Sequence, residues 1–470
     1  MDRRLGADRL GGLRQYDGAR FARSAEAADS LISDEEVTAW LRRRKVVNQF
    51  TVDRIAFGEL DKWSFAEPTG NLVHDSGRFF AIQGLSVTSQ FGPVTAWQQP
   101  IINQPENGLL GLLVRQIDGV PHFLVQAKME PGNPHTIELS PTVQATRSNF
   151  TRVHQGAKIR YFEHFAGPGR GRVITDVLQS EQGDSFYHKR NRNMVVEVTG
   201  EVEEHEDFRW LTLAQINRFL AKDSTVNMDI RTVLSTLPMS TEDSDPGDLR
   251  SALSSNVPAR YGFDELLSWL TGLKCHYEMT AERIPLREVA DWKRTEYEIS
   301  HVEGKFFSVV AVSVQASTRE VLRWTQPMLT PARPGIAAFV LRHIDGVPHI
   351  LVQGKPQPGL FDFFEAAPTV HCVNADYRNL PRSVWPPYLE YVLGAPASQV
   401  RYSVLHSEEG GRFLNRENRY MIVEAGDDFP DDEGKNYRWV TPYQLRKLAS
   451  LSNSVNVEAR TLLTCLASLW

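Results

Sequence analysis

The stretch RQIDGVPHFLVQAK, from Arg115 to Lys128, returns as RHIDGVPHILVQGK, from Arg342 to Lys355, 227 residues later. A chain that carries one long segment twice at a constant offset is constrained to build the same unit twice. The offset holds well outside this segment. His74 and Gly77 meet His301 and Gly304, and Trp97-x-Gln99-Pro100 meets Trp324-x-Gln326-Pro327. Pro141-Thr142-Val143 meets Pro368-Thr369-Val370, and SEQGDSFYHKRNRNMVVEV (180–198) meets SEEGGRFLNRENRYMIVEA (407–425). The reading is a flexible N-terminal segment (1–30), a first copy (31–238), a linker (239–258) rich in Ser, Asp and Gly, and a second copy (259–470).

Each copy repeats one order of elements. SDEEVTAWLRRRK opens with a capping box, Ser33 to Glu36, and YGFDELLSWLTGL takes the same part in the second copy. GLLVRQIDGVPHFLVQAK is two β runs around Asp-Gly, a strong short-range hairpin signal. Alternation on its return strand puts His122, Leu124, Gln126 and Lys128 on one face, with His122 and His349 expected at exposed turns. Thr212-x-x-Gln215 and Thr441-x-x-Gln444 read as capping boxes, and Asn227 and Asn456 as N-caps of the closing helices. The fold class is α+β, two tandem duplicated domains, each with a mixed or antiparallel sheet flanked by helices.

Composition narrows the function. With 41% hydrophobic and 23% charged residues the chain is ordinary for a globular protein. A net charge of −6 argues against nucleic acid as a partner, and no apolar run is long enough to span a membrane. Cys275, Cys372 and Cys465 are far apart, which fits a reducing cytoplasm rather than a disulfide framework. GxGxxG, GxxxxGK[ST], GxSxG and HExxH are all missing, so nothing signals a nicotinamide, ATP, a serine nucleophile or zinc.

Three runs carry candidate ligand residues. Gln126-x-Lys128 and Gln353-x-Lys355 end the hairpins, and each precedes a Pro-Gly loop, the first beginning at Glu130. SPTVQATRSNFTRVH (140–154) holds Thr142, Gln144, Thr146, Asn149, Arg152 and His154 with few apolar residues. Short hydroxyl and amide side chains supply the orienting hydrogen bonds of a polar ligand site. FYHKRNRN (186–193) concentrates Lys189, Arg190 and Arg192 beside Tyr187, a set that could hold a pyrophosphate. Its twin FLNRENRY keeps Arg416 and Arg419.

Through SPTVQATRSNFTRVH, QAKMEPGN and the duplicated SEEGGRF and ENRYMIVE runs, nearly the whole chain resembles the NDP-hexose 2,3-dehydratases of actinobacterial deoxysugar and antibiotic biosynthesis. The resemblance implies two Nudix-like domains, a homodimer, and a dTDP-4-keto-6-deoxy-hexose as substrate. Three positions depart from the family pattern: Phe150 replaces Tyr, Gln357 replaces Glu, and His371 replaces Gln. The Nudix metal box, with its clustered glutamates, is missing from both copies. The implied chemistry uses no cofactor, because a ketone at C4 acidifies the C3 hydrogen. A base removes that hydrogen, donors stabilise the enolate, and an acid protonates the departing C2 hydroxyl. The product is a 3,4-diketo-2,6-dideoxy sugar.

His154 is the first candidate for the base and Glu130 the second, with Tyr187 or Lys128 as donor. Gln126, Thr142, Gln144, Thr146 and Asn149 would orient the sugar and the thymidine. Arg152, Lys189, Arg190 and Arg192 would hold the pyrophosphate. The first copy is expected to carry the chemistry because its polar run is richer. Gln353, Lys355, Thr369, Arg416 and Arg419 would form a second pocket. The alternatives are a non-catalytic nucleotide-sugar-binding protein and a nucleotide-sugar pyrophosphohydrolase.

Overall fold

The computed structural model describes residues 18–146, 159–241, 245–317, 321–372, 377, 381–426 and 428–469. Each copy is built on a seven-stranded sheet. In the first, the order is Arg172–Ser180, Arg190–Glu197, Gly108–Ile117, Val120–Met129, Phe208–Leu211, with Ile137–Ser140 and Val143–Ala145 completing it. Arg190–Glu197 runs parallel to Gly108–Ile117 and the other pairs are antiparallel, so the sheet is mixed. The second copy repeats this order around Gly335–Ile344 and Val347–Pro356. The α+β architecture is the one expected.

Local sequence signals explain the elements. Asp118-Gly119 and Asp345-Gly346 turn with positive φ at both residues (49° and 79°, 49° and 80°), the geometry a two-residue hairpin needs. Ser33 accepts from the Glu36 amide while Glu36 reaches back to the Ser33 amide. Thr212 and Thr441 close the same box with Gln215 and Gln444, and Asn227 and Asn456 cap the helices Met228–Leu234 and Val457–Ala467. Phe123, Val125 and Ala127 bury one face of the return strand against Trp40, Ile216, Phe219 and Ile230. Leu124 faces a second layer with Val143, Tyr161, Phe165 and Met194.

The copies are not beads on a linker. Phe50–Ile55, of the first copy, pairs antiparallel with Phe307–Ala316 of the second. Met279–Ile284, of the second, pairs in the same way with Ala81–Ser89 of the first. This reciprocal exchange joins the copies through backbone hydrogen bonds on both sides. A further core is shared outright: Trp63, Phe80, Ile82 and Ile102 pack with Leu286, Val309, Leu329 and Phe413. Phe186 and Phe413, equivalent by the repeat, meet with ring centroids 5.5 Å apart. Two fully buried arginines fasten the closing helices. Arg231 donates to the Ser407 carbonyl of the second copy and Arg460 to the Ser180 carbonyl of the first, both at 2.6 Å.

Two boundary expectations need correction. Residues 18–26 form a helix rather than a flexible lead, because Phe21 is fully buried and the Ser24 hydroxyl donates to the Pro121 carbonyl at 2.6 Å. The linker contains the helix Leu249–Ser254, whose Ala252 and Leu253 are fully buried. Its polar composition hid two apolar side chains at positions that reach the core. No helix among the described residues is long and apolar enough to cross a membrane.

The seam also holds a buried carboxyl. Glu138 is inaccessible to solvent and accepts a hydrogen bond from the Ser407 hydroxyl at 2.7 Å. Burial raises its pKa from 4.5 to about 8, against smaller opposing effects of Ser407 and Arg231. The folded chain therefore keeps a proton that the unfolded chain releases, so this group's stabilisation is complete at acid pH and is lost as pH rises through about 8. Glu138→Gln removes the titration and leaves an oxygen for Ser407. Its melting temperature is expected to fall less than that of the parent between about pH 5 and pH 8. Parallel thermal curves at several pH values check this, and equal slopes would refute it.

Candidate active site

The hairpin's return strand delivers Lys128 and Glu130 to the seam between the copies. Lys128 Nζ lies 3.2 Å from Glu130 Oε1, with the two side chains only 11% and 7% exposed. Gln144, on Val143–Ala145, donates to the same Glu130 oxygen at 2.9 Å, and Asn227 Nδ2 reaches Gln144 Oε1 at 3.4 Å. An ion pair this buried is weak evidence for stability, since desolvation offsets its Coulomb energy.

The second copy lacks it. Gln357 stands where Glu130 would be, and Lys355 Nζ instead donates to the His371 carbonyl at 2.6 Å. Burial lowers the Lys355 pKa and holds that of His371 well below the usual imidazole range. His371 Nε2 lies 3.5 Å from Glu458, and both amide atoms of Gln357 are buried without a partner.

Loops from opposite copies seal the two sites by the same device. Gly132 N donates to Gly410 O at 2.7 Å and Asn415 N to Gly132 O at 2.8 Å. At the equivalent place Gly359 N donates to Gly183 O at 2.6 Å and His188 N to Gly359 O at 2.7 Å. A Cβ on Gly132 would overlap the Phe413 carbonyl oxygen, and one on Gly359 the Phe186 carbonyl oxygen. Glycine is required at both positions by this close approach.

The structure divides the sequence candidates. Lys128, Glu130 and Gln144 come together, with half-buried Gln126 two residues back on the strand and Thr146 just past Ala145. Thr142 is a correction. Its hydroxyl donates to the Leu124 carbonyl at 2.5 Å and accepts from the Leu113 amide at 2.9 Å, bridging neighbouring strands. Thr369 does the same between Leu351 and Val340. Both hydroxyl protons are committed to the sheet, which explains why Pro-Thr-Val occurs twice.

The basic cluster is also corrected, because it does not converge. Lys189 turns inward, donates to the Glu106 carbonyl, and burial lowers its pKa to about 8. The Arg190 guanidinium lies 4.0 Å over the Phe361 ring of the second copy. Arg192 forms a bidentate pair with Asp176. Tyr187 stacks on His188 and packs with Leu85, Val87 and Ile101, on a different sheet from Lys128. In the second copy, Gln353 is buried, Arg416 is buried against Asp184 and Ser185, and Arg419 contacts Ser403 near the surface. His122 and His349 are buried, not exposed, with Nδ1 on the Val120 and Val347 carbonyls. Asn149, Arg152 and His154 lie outside the described residues.

Sequence reasoning missed part of the site. Asp229, on the helix capped by Asn227, is 2% exposed, and burial raises its pKa well above the carboxylate range, helped by Glu130 and Glu181. Glu409 arrives from the second copy, its pKa raised to about 7 chiefly by burial, with Arg412 opposing and Glu130 and Glu181 adding. The repeat offered a signal for Asp229, which pairs with Glu458, and none for Glu409, whose equivalent is Gln182. Among the described residues no group of three or more His, Cys, Asp or Glu side chains is arranged to hold a metal ion.

The comparisons agree with the geometry of two copies. A family model described as NDP-hexose 2,3-dehydratase matches residues 34–237 and again 263–466. A dTDP-4-dehydro-6-deoxy-α-D-glucopyranose 2,3-dehydratase of Amycolatopsis orientalis is 48% identical over 95% of this chain and 93% of its own. Proteins of the same name from Saccharopolyspora spinosa and Streptomyces violaceoruber are each 46% identical. They match over 96% and 92% of this chain, and 95% and 96% of their own.

Proposed function

The chain belongs to the NDP-hexose 2,3-dehydratase family, and we propose that it removes water across C2 and C3 of dTDP-4-dehydro-6-deoxyglucose. What supports this reading is the buried Lys128–Glu130 pair, which the second copy replaces by Lys355 and Gln357. Elimination needs one group that takes the C3 proton, one that returns a proton to the leaving C2 oxygen, and donors at the C4 oxygen. Glu130 supplies a carboxylate, Lys128 an ammonium, and Gln144 an amide that holds Glu130 in position. His154 is the other candidate for the base. The C4 ketone is the electron sink, so the reaction balances without a redox partner. The C3 proton leaves, hydroxide departs from C2 as water, and the enol gains a solvent proton at C2. The active unit is proposed to be a homodimer.

The test is incubation with dTDP-4-dehydro-6-deoxyglucose in deuterated buffer, trapping the diketone with a 1,2-diamine for mass spectrometry. Loss of one water and gain of deuterium at C2 is the expected result. A bound but unchanged sugar would overturn it in favour of a binding protein.

A further inference from the structure

The two sites differ at one position that lies in the other copy. The loop Glu409–Gly411 packs on Glu130–Asn133 of the first copy, where Gly410 is pressed against Asn133 and the Glu130 Cβ with no room for a side chain. The repeat-equivalent of Glu409 is Gln182, which closes the second copy's site and donates to Glu408 Oε2 at 2.9 Å. So a carboxyl closes the site that has Glu130, and an amide closes the site that has Gln357.

With Glu409 itself counted, the cluster holds four acids against three bases. Glu130, Glu181 and Asp229 face it from the first copy with Lys128 and Lys189, and Arg412 lies on its own loop. Glu409 Oε2, Asp229 Oδ1 and Glu181 Oε2 are buried without a hydrogen-bond donor. Asn133, only 5% exposed, has neither amide atom partnered and is aimed at the Glu409–Gly411 loop. Burial and the neighbouring carboxyls favour the protonated forms of Asp229 and Glu409.

Resting on the dehydratase reading, we propose that Glu409 is a positioning residue of the first copy's site, its loop packed on Glu130–Asn133 and its carboxyl holding a proton beside the Lys128–Glu130 pair. The second copy is then part of the catalytic unit even though its own pocket has lost the pair. Burial also raises the Glu409 pKa to about 7.

Glu409→Gln is the test, because Gln182 shows that an amide fits this environment. Turnover is expected to fall by ~10-fold or more while substrate affinity changes less than about threefold. The limb of the kcat–pH profile near pH 7 should move by about one unit or vanish. A folded Glu409→Gln protein with the parent profile would overturn the proposal. Infrared titration of the carboxylic-acid band reads the same proton without turnover. The parent should lose a band between about pH 6 and pH 8 that Glu409→Gln lacks, and identical spectra would also overturn it. A parent enzyme that shows this band but no elimination would instead refute the dehydratase reading.

Discussion

Glu130→Gln is expected to lower kcat by ~10²–10⁴-fold, the range for a lost general acid–base group. Substrate affinity should change less than about threefold, since the amide keeps the shape of the side chain and one acceptor oxygen. The physical basis is local. Lys128 loses the charge that faces it 3.2 Å away, and Gln144 loses a carboxylate acceptor for an amide one. The second copy already shows the substituted arrangement, with Lys355 turned to the His371 carbonyl opposite Gln357. Single-turnover rates with equilibrium binding separate the two quantities. A loss confined to affinity would make Glu130 a binding group and pass the base to His154.

Gly132→Ala and Gly359→Ala form the second test, in which equal structural insults should have unequal consequences for activity. Each adds a methyl group where a carbonyl oxygen of the other copy already sits. Each loop must back away, straining two backbone hydrogen bonds at ~0.5–1.5 kcal/mol apiece, with an overpacking cost of ~1–3 kcal/mol. Denaturant unfolding should therefore show similar losses, roughly 2–6 kcal/mol, for both. Gly132→Ala also moves Glu130 and the loop of Glu409, so activity at permissive temperature should drop strongly. Gly359→Ala disturbs the site around Gln357 and should leave more of it. The reverse order would place the chemistry in the second copy.

Much of the local structure was legible. The hairpin turns, the capping boxes at Ser33, Thr212 and Thr441, and the caps at Asn227 and Asn456 depend on residues three or four apart, which a sequence displays directly. The alternation that put Lys128 opposite Phe123 and Val125 held for the same reason. What misled was polarity without a partner. Thr142 has the chemistry of a ligand residue, yet its hydroxyl spans two strands. Lys189, Arg190 and Arg192 lie within four residues of sequence, yet each finds a different partner: the Glu106 carbonyl, the Phe361 ring and Asp176.

The sequence by itself determined that one unit is built twice and where each copy's hairpin and helices begin and end. It also revealed that only one copy has Glu130 where the other has Gln357, because these are properties of spacing and residue type. The tertiary structure alone decided that the copies exchange the strands Phe50–Ile55 and Met279–Ile284. It decided too that Glu409 closes a site formed more than two hundred residues earlier. Contacts across the seam are set by which backbone edges and apolar faces remain after each copy has folded locally, and no short-range pattern encodes that choice.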